Sequence, residues 1–387
     1  MESRQYLQIP GPTNIPERIL RSLSRPLINH RGPEFAALLD DCLSGLQRIL
    51  RTRNDILIFP SSGSGALESV IVNLFSPGDE ILVVSQGLFS ERMAVIAGRY
   101  GLAVQRVLKE WRQAARAEDI LAFLERDPEH RLKAVCLPQH ETTTGVSNDV
   151  AAIARAVADS RHPAILVVDA VSSLACLPFE TDAWGIDVAV SASQKGLMLP
   201  PGLGIVAVGP RAWRLAEGAT LPRWYWDYRA VQSRLRDHQL PYTPPTSLLF
   251  GLKEAVAVLE EEGLENVWRR HAVIGRSVRA SAEAMGLSLL AEEAARSDAV
   301  TAIRMPPGVN YDDLAGVLLD QYRVVIGEGL QHLKGQIFRI GHMGAIHKPE
   351  VFAIMGSVEL ALHDLGWTVE LGAANRAVSL GFSRRTC

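Results

Sequence analysis

The chain has 387 residues, 47% of them apolar and 21% charged, and a formal net charge of −3 at neutral pH. That is a globular composition with more material than one ordinary core needs, so two or three domains are expected. No long basic run and no uninterrupted apolar stretch near about 18 residues is present, which speaks against nucleic acid, a membrane surface or a membrane span as partner.

The first residues, Met1-Glu2-Ser3-Arg4-Gln5, have no apolar core flanked by positive charge and do not read as a secretion signal. Residues 1–20 read as an extended segment containing Pro10-Gly11-Pro12. From Glu34 to Leu50, Phe35, Leu38, Leu39, Cys42, Leu43, Leu46, Ile49 and Leu50 recur at helical spacing. Short apolar runs then alternate with helical patterns. The predicted strands are Ile56–Phe59, Glu80–Val84, Ala103–Val107, Ala134–Leu137, Ala164–Val168, Asp187–Ser191 and Leu203–Val208. The predicted helices between them are Gly65–Leu74, Glu91–Tyr100, Ile120–Glu125 and Val150–Ala158. Such alternation implies an α/β fold with a mostly parallel seven-stranded sheet covered on both faces. Pro222 to Pro245 reads as irregular and aromatic, with Trp224, Tyr225, Trp226, Tyr228 and Tyr242, and suits a subunit interface.

A single long helical pattern follows from Leu248 to about Ala282. Beyond Ser288 the alternation resumes: strands at Val300–Arg304, Val324–Ile326 and Phe338–Ile340, helices at Tyr311–Gln321 and Pro349–Leu365, and a frayed tail after Gly372. The division expected is an N-terminal segment (1–20), a large domain (21–264) and a smaller C-terminal α/β domain (265–387). Cys42, Cys136, Cys176 and Cys387 show no CxxC spacing. The first three lie in apolar contexts and read as reduced structural thiols of a cytoplasmic protein, with no metal expected.

In a parallel sheet the ligand site lies beyond the carboxyl ends of the strands. Ser61-Ser62-Gly63, Gln86-Gly87-Leu88-Phe89, Gln139-His140-Glu141-Thr142, Asp169 and Lys195 all follow predicted strands. The run Ser61-Ser62-Gly63-Ser64-Gly65 between strand and helix could cradle a phosphate on backbone N–H groups, or be a plain capped turn. A dinucleotide fold wants an acidic residue at the end of the next strand; Ser85-Gln86 stands there. Asp169 could be a strand-ending cap, and Lys195 alone could be a surface lysine. Lys195 follows Asp169 by 26 residues, about one crossover plus a strand, among Ser, Gln and Gly in an apolar region. An amine that forms a Schiff base and a carboxylate that keeps a pyridine nitrogen protonated are the protein's half of pyridoxal phosphate (PLP) chemistry.

A set of motifs in order joins these residues. They are Pro10-Gly11-Pro12-Thr13-Asn14, Ser62-Gly63-Ser64, His140-Glu141-Thr142-Thr143-Thr144-Gly145, Val168-Asp169-Ala170-Val171-Ser172-Ser173, Ser193-Gln194-Lys195-Gly196, Tyr242-Thr243-Pro244-Pro245 and Phe338-Arg339-Ile340-Gly341-His342-Met343-Gly344. From Pro10 to about Gly366 the chain resembles class V aminotransferases of the alanine–glyoxylate and serine–glyoxylate type. The resemblance implies PLP fold type I and a homodimer with the active site at the subunit interface. It implies that Lys195 holds PLP as a Schiff base, Asp169 pairs with the ring nitrogen and Thr142 bonds the ring hydroxyl. Phe89 would stack on the ring where the family often has tryptophan. Ser62, Gly63, Ser64 and Gln194 would hold the phosphate, with Tyr242 and Thr243 of the neighbouring subunit completing the cup. Arg339, Gly11 and Glu328 form the substrate-facing set, Arg339 as a carboxylate clamp.

Taken alone, Arg339 could equally be a structural ion pair, and His342 reads as a satisfied structural imidazole. Glu328 stands where the similar serine–glyoxylate enzymes usually carry a small residue. Facing the substrate, it would disfavour donors with an acidic side chain; facing solvent, it would select nothing. No second arginine lies near this loop. The activity implied is two-step transfer of an amino group from serine or alanine to glyoxylate or another small 2-oxo acid. A lyase of the same class stays open. A desulfurase is disfavoured because no cysteine lies between Cys176 and Cys387. A nucleotide-binding or oligomerisation module on the same sheet is the third reading.

Overall fold

A computed structural model describes residues 5–383. Its strands are β1 (Tyr6–Gln8), β2 (Asp55–Ser61), β3 (Glu80–Ser85), β4 (Ala103–Leu108), β5 (Leu132–Pro138), β6 (His140–Glu141), β7 (Val146–Ser147), β8 (Ile165–Asp169), β9 (Val188–Ala192), β10 (Gly202–Val208), β11 (Val300–Arg304), β12 (Val324–Glu328) and β13 (Ile337–Gly341). Seven of them form one sheet in the order β2-β10-β9-β8-β5-β3-β4, in which β10 alone runs against its neighbours. These are the seven strands predicted for it. They were legible because helices cover both faces, so Ile165–Val168 and Val188–Ala192 are buried throughout and read as unbroken apolar runs.

The order places β5, β8 and β9 side by side, with their carboxyl ends at one edge. A short hairpin, β6–β7, follows β5 directly and pairs His140 with Ser147. The second sheet has the order β1-β12-β13-β11. Its first strand comes from the N-terminus: Tyr6–Gln8 runs parallel to β12. The segment expected to be merely extended is thus part of the C-terminal sheet, because it supplies the backbone partners that β12 otherwise lacks on one side. A large apolar core surrounds the seven-stranded sheet, and a separate one, built from residues such as Ile274, Val278, Phe338, Ile340 and Met355, backs the smaller sheet.

Three expectations are corrected. The helical pattern from Leu248 to Ala282 is two helices, Thr246–Glu262 and Leu264–Ala284. They break at Gly263, whose φ of +80° is a conformation that side-chain-bearing residues rarely adopt. The stretch from Pro222 to Pro245 is not wholly irregular. It contains the helix Tyr228–Leu235, started by Asp227, whose carboxylate accepts from the Arg229 and Ala230 N–H groups. The tail after Gly372 is not frayed as far as Ser383: Ala373–Ser383 is a helix that packs against Leu264–Ala284, with Ala374 and Val378 buried. Cys387 lies outside the described residues. The other three cysteines are free and buried, and burial pushes the Cys42 and Cys136 thiols up to about 12 and Cys176 to about 11. No helix among the described residues is long and apolar enough to cross a membrane.

Phe59 closes the edge of the large sheet under the aromatic segment, with ring centroids 5.4 Å from Trp226 and 5.9 Å from Tyr228. It is fully buried. Replacing it with alanine is expected to destabilise the protein by about 3–5 kcal/mol, through lost transfer energy and a residual cavity. Denaturant titration of Phe59→Ala checks this, and a loss below about 1 kcal/mol would show that the edge does not need the ring.

Candidate active site

The site grows from adjacent strand ends. Register pairs Val167 with Val188 and Asp169 with Val190, so β8 delivers Asp169 beside the start of the loop that carries Lys195 after β9. Asp169 accepts a hydrogen bond from the Val171 N–H at 2.8 Å through Oδ1. Burial pushes its carboxyl up to about 6, against that hydrogen bond. Lys195 is 9% exposed, and burial, assisted by the Arg339 charge, pulls its amine down to about 8.

The N-terminal segment closes over the lysine. Lys195 Nζ donates to the Pro10 carbonyl, Thr13 Oγ1 to the Lys195 carbonyl at 2.9 Å, and the Thr13 N–H to the Gln194 carbonyl at 3.2 Å. Gly11 is needed there: its φ is +111°, and a Cβ on it would overlap Nζ, Cδ and Cε of Lys195.

A cavity of about 270 Å³ opens at this point. Its walls include Gly11, Ser62, Gly63, Ser64, Phe89, Thr142, Asp169, Gln194 and Lys195, nine of the residues proposed from sequence. Ser62 is the residue before the helix Gly63–Leu74; it makes no side-chain cap bond, and the first turn holds no acidic residue. That end therefore offers free N–H groups and a positive dipole end to an anion. Phe89 opens the helix Leu88–Arg99. Fully buried Glu141 holds that opening by accepting from the Ser90 N–H at 2.8 Å, the Phe89 N–H at 3.4 Å and the Thr143 N–H at 2.9 Å.

Four proposed residues do not line this cavity. Arg339, 6% exposed, donates from Nε (2.9 Å) and Nη2 (2.6 Å) to the Glu328 carbonyl and from Nη1 (3.0 Å) to the Thr142 carbonyl. It reaches the cavity wall only through Thr142. Burial lowers Arg339 to about 10, which leaves it charged at neutral pH. Glu328 pairs with Phe338 and Gly327 with Arg339, so the register puts the Glu328 side chain on the face opposite Arg339. Tyr242 stacks on Tyr225, centroids 4.5 Å apart at 11°, with its buried hydroxyl unpaired; Thr243 is exposed.

Of the wall residues not proposed from sequence, three are polar: Arg92, His140 and Ser172. Arg92 donates to Ser64 Oγ at 2.6 Å. Ser172 accepts from Thr142 Oγ1 at 2.7 Å and meets His140 Nδ1 at 2.9 Å. His140 is buried and faces the Lys195 and Arg339 charges; burial lowers it to about 3, so its imidazole is neutral. Arg92 was findable, since it lies one helical turn after Phe89; His140 and Ser172 lie within quoted motifs at the sheet edge, but no role was given to either. His342, by contrast, is structural as expected, with Nε2 2.8 Å from Thr301 Oγ1 and Nδ1 3.0 Å from the Asp298 carbonyl.

The donor set fits a phosphorylated pyridine aldehyde. It offers a helix end for an anion, a carboxylate, an amine near its neutral range, and the Phe89 ring in the same cavity wall. Gln194 Oε1 and His140 Nε2 are buried without a partner, as polar atoms awaiting a ligand are. The aminotransferase class-V family profile matches residues 5–343. The chain belongs to this family. It is a PLP-dependent aminotransferase.

Its relatives include the L-aspartate–glyoxylate aminotransferase of Paracoccus denitrificans, 39% identical over 100% of this chain and 98% of the relative. The serine–glyoxylate aminotransferase of Methylorubrum extorquens is also 39% identical, over 97% and 95%. Among solved structures, the ureidoglycine–glyoxylate aminotransferase of Bacillus subtilis superposes with a TM-score of 0.92 at 26% identity, covering 99% of both chains. The transaminase fold, with a large mostly parallel sheet and a smaller α/β unit, is the one expected from the sequence.

An amine must be unprotonated to attack an aldehyde. With Lys195 held near 8, the rate at which PLP-stripped aminotransferase recaptures the cofactor is expected to rise with pH through about 8 and level off above it. Rapid-mixing absorbance checks this; a rise centred near the ordinary lysine value of about 10.4 would show that the amine is not held in a dry, cationic setting.

Proposed function

We propose that this aminotransferase moves an amino group from a small amino acid, serine or alanine first, to glyoxylate by a two-half-reaction, ping-pong cycle. The observation that carries this reading is the meeting of Lys195 and Asp169 on one cavity wall, in a chain aligned end to end with glyoxylate-named relatives. The aspartate, serine and ureidoglycine in the relatives' names differ, while glyoxylate recurs; the acceptor is therefore the firmer half of the proposal.

Bound PLP supplies an electron sink for the pair left when a proton leaves the substrate's α-carbon. The chain's residues do the rest. Asp169 holds a proton on the ring nitrogen by its negative charge. Thr142 turns the hydroxyl hydrogen that it otherwise gives to Ser172 Oγ toward the ring oxygen. Phe89 covers one ring face. Ser62, Gly63, Ser64 and Gln194 receive the phosphate, and Tyr242 and Thr243, which stand outside their own chain's cavity, serve the neighbouring subunit of a homodimer. Lys195 Nζ, released by the donor's amine, takes the α-proton and returns it on the other side of the transfer. Arg339 clamps the substrate carboxylate; Gly11 and the Pro10–Asn14 segment keep bulk water from the amine.

We assign the chain to the cytoplasm, in keeping with its three free buried thiols. A donor-by-acceptor matrix tests the function. Serine or alanine with glyoxylate is expected to give keto acid and glycine in equal amounts; keto acid without glycine would identify a lyase. Arg339→Lys, which keeps charge but loses the planar fork, is expected to raise KM for donor and acceptor about 10- to 100-fold with a smaller fall in kcat, and unchanged KM values would remove Arg339 from the clamp.

A further inference from the structure

The charged side chains that line the cavity are Asp169, Lys195 and Arg92. The proposed function gives Lys195 to the aldehyde and Asp169 to the ring nitrogen. Every group it gives to the phosphate, in Ser62, Gly63, Ser64 and Gln194, is uncharged. A phosphate monoester carries about −1.5 to −2 at neutral pH, and moving that charge out of water against neutral donors alone is costly. Arg92 is the unassigned cation.

Its position is fixed by two contacts. Nη1 donates to Ser64 Oγ at 2.6 Å, and the guanidinium carbon lies 4.7 Å from the Phe89 ring centroid. The first contact places it at the Ser62–Ser64 end of the cavity, beside the start of the helix Gly63–Leu74. The second is with the residue one turn earlier on its own helix, Leu88–Arg99. Among the described residues it forms no ion pair with a carboxylate, so its charge is not spent within the fold. Its field already reaches both Asp169 and Lys195 across the cavity.

We propose that Arg92 is the charge-bearing ligand of the cofactor phosphate. Ser64 Oγ accepts from Arg92 and is left free to turn its own hydroxyl hydrogen to a phosphate oxygen. The remaining guanidinium N–H groups supply a planar fork to the same anion. This rests on the PLP reading above. The competing role is packing: Arg92 could serve only to hold Phe89 against the ring.

PLP and pyridoxal, which lacks the phosphate, separate the two roles. Equilibrium titration of stripped protein, read by the absorbance of lysine-bound cofactor, gives a Kd for each. Arg92→Gln is expected to weaken PLP about ten- to hundred-fold and pyridoxal by less than about twofold. Arg92→Lys is expected to recover part of the PLP affinity, since it keeps a point charge without the fork. Equal losses for both aldehydes, or an unchanged PLP Kd, overturn the assignment in favour of packing. Should the glutamine variant fail to fold, as judged by the melt of the stripped protein, the lysine variant decides by the same PLP-to-pyridoxal comparison. If the unaltered protein captures neither aldehyde, the cofactor reading itself falls and takes this assignment with it; failure of the assignment alone shows as normal capture with no phosphate dependence in the variants.

Discussion

Burial acts against both charges at the centre of the cavity. It lowers Lys195 to about 8 and raises Asp169 to about 6. At neutral pH the carboxylate still keeps its charge, while the amine is close to releasing a proton. The roles proposed for them use both conditions: one group holds a proton on a ring by its charge, and the other gives and takes protons. The fold meets them by ending β8 and β9 side by side, so that Asp169 and the Lys195 loop leave the same sheet edge under apolar cover. A strand order that separated β8 from β9 would leave two ordinary residues at two unrelated turns.

The cover comes from the far end of the chain's architecture. Tyr6–Gln8 belongs to the smaller sheet through β12, yet Pro10 to Thr13 bonds to Gln194 and Lys195 of the larger one. The N-terminus is therefore a strap between the two sheets. Arg339 on β13 makes a second link, reaching across to the Thr142 carbonyl after the β6–β7 hairpin begins. The amine and the guanidinium are thus set relative to each other by both sheets, and any shift between the sheets alters the site at two points.

The parts of this arrangement that were legible in sequence share a cause. Strands covered on both faces leave continuous apolar runs, and residues just beyond them fall at the site edge by topology; Asp169, Lys195 and Thr142 are of this kind. What was not legible depends on contacts without a period. Gly263 interrupts a helical pattern that its neighbours carry on both sides, and only its positive φ ends the helix. The helix Ala373–Ser383 is marked by little more than Ala374 and Val378, and its stability comes from the Leu264–Ala284 helix it packs against. His140 and Ser172 meet through a hairpin and a strand end 32 residues apart. Glu328, expected in a loop, ends strand β12, and the register turns its side chain away from Arg339 while its carbonyl holds the guanidinium, a distinction no residue type can reveal.

That carbonyl hold has a chemical consequence. A guanidinium has five N–H donors. In Arg339, Nε, one hydrogen of Nη1 and one of Nη2 are engaged, all by main-chain oxygens. One donor remains on each terminal nitrogen, the number that a bidentate carboxylate clamp uses. Because the partners are carbonyls and not a carboxylate, the clamp proposed for Arg339 has no internal ion pair to displace, and its fork is already oriented. The nearby Glu141 and Glu328 charges favour the charged guanidinium without bonding to it.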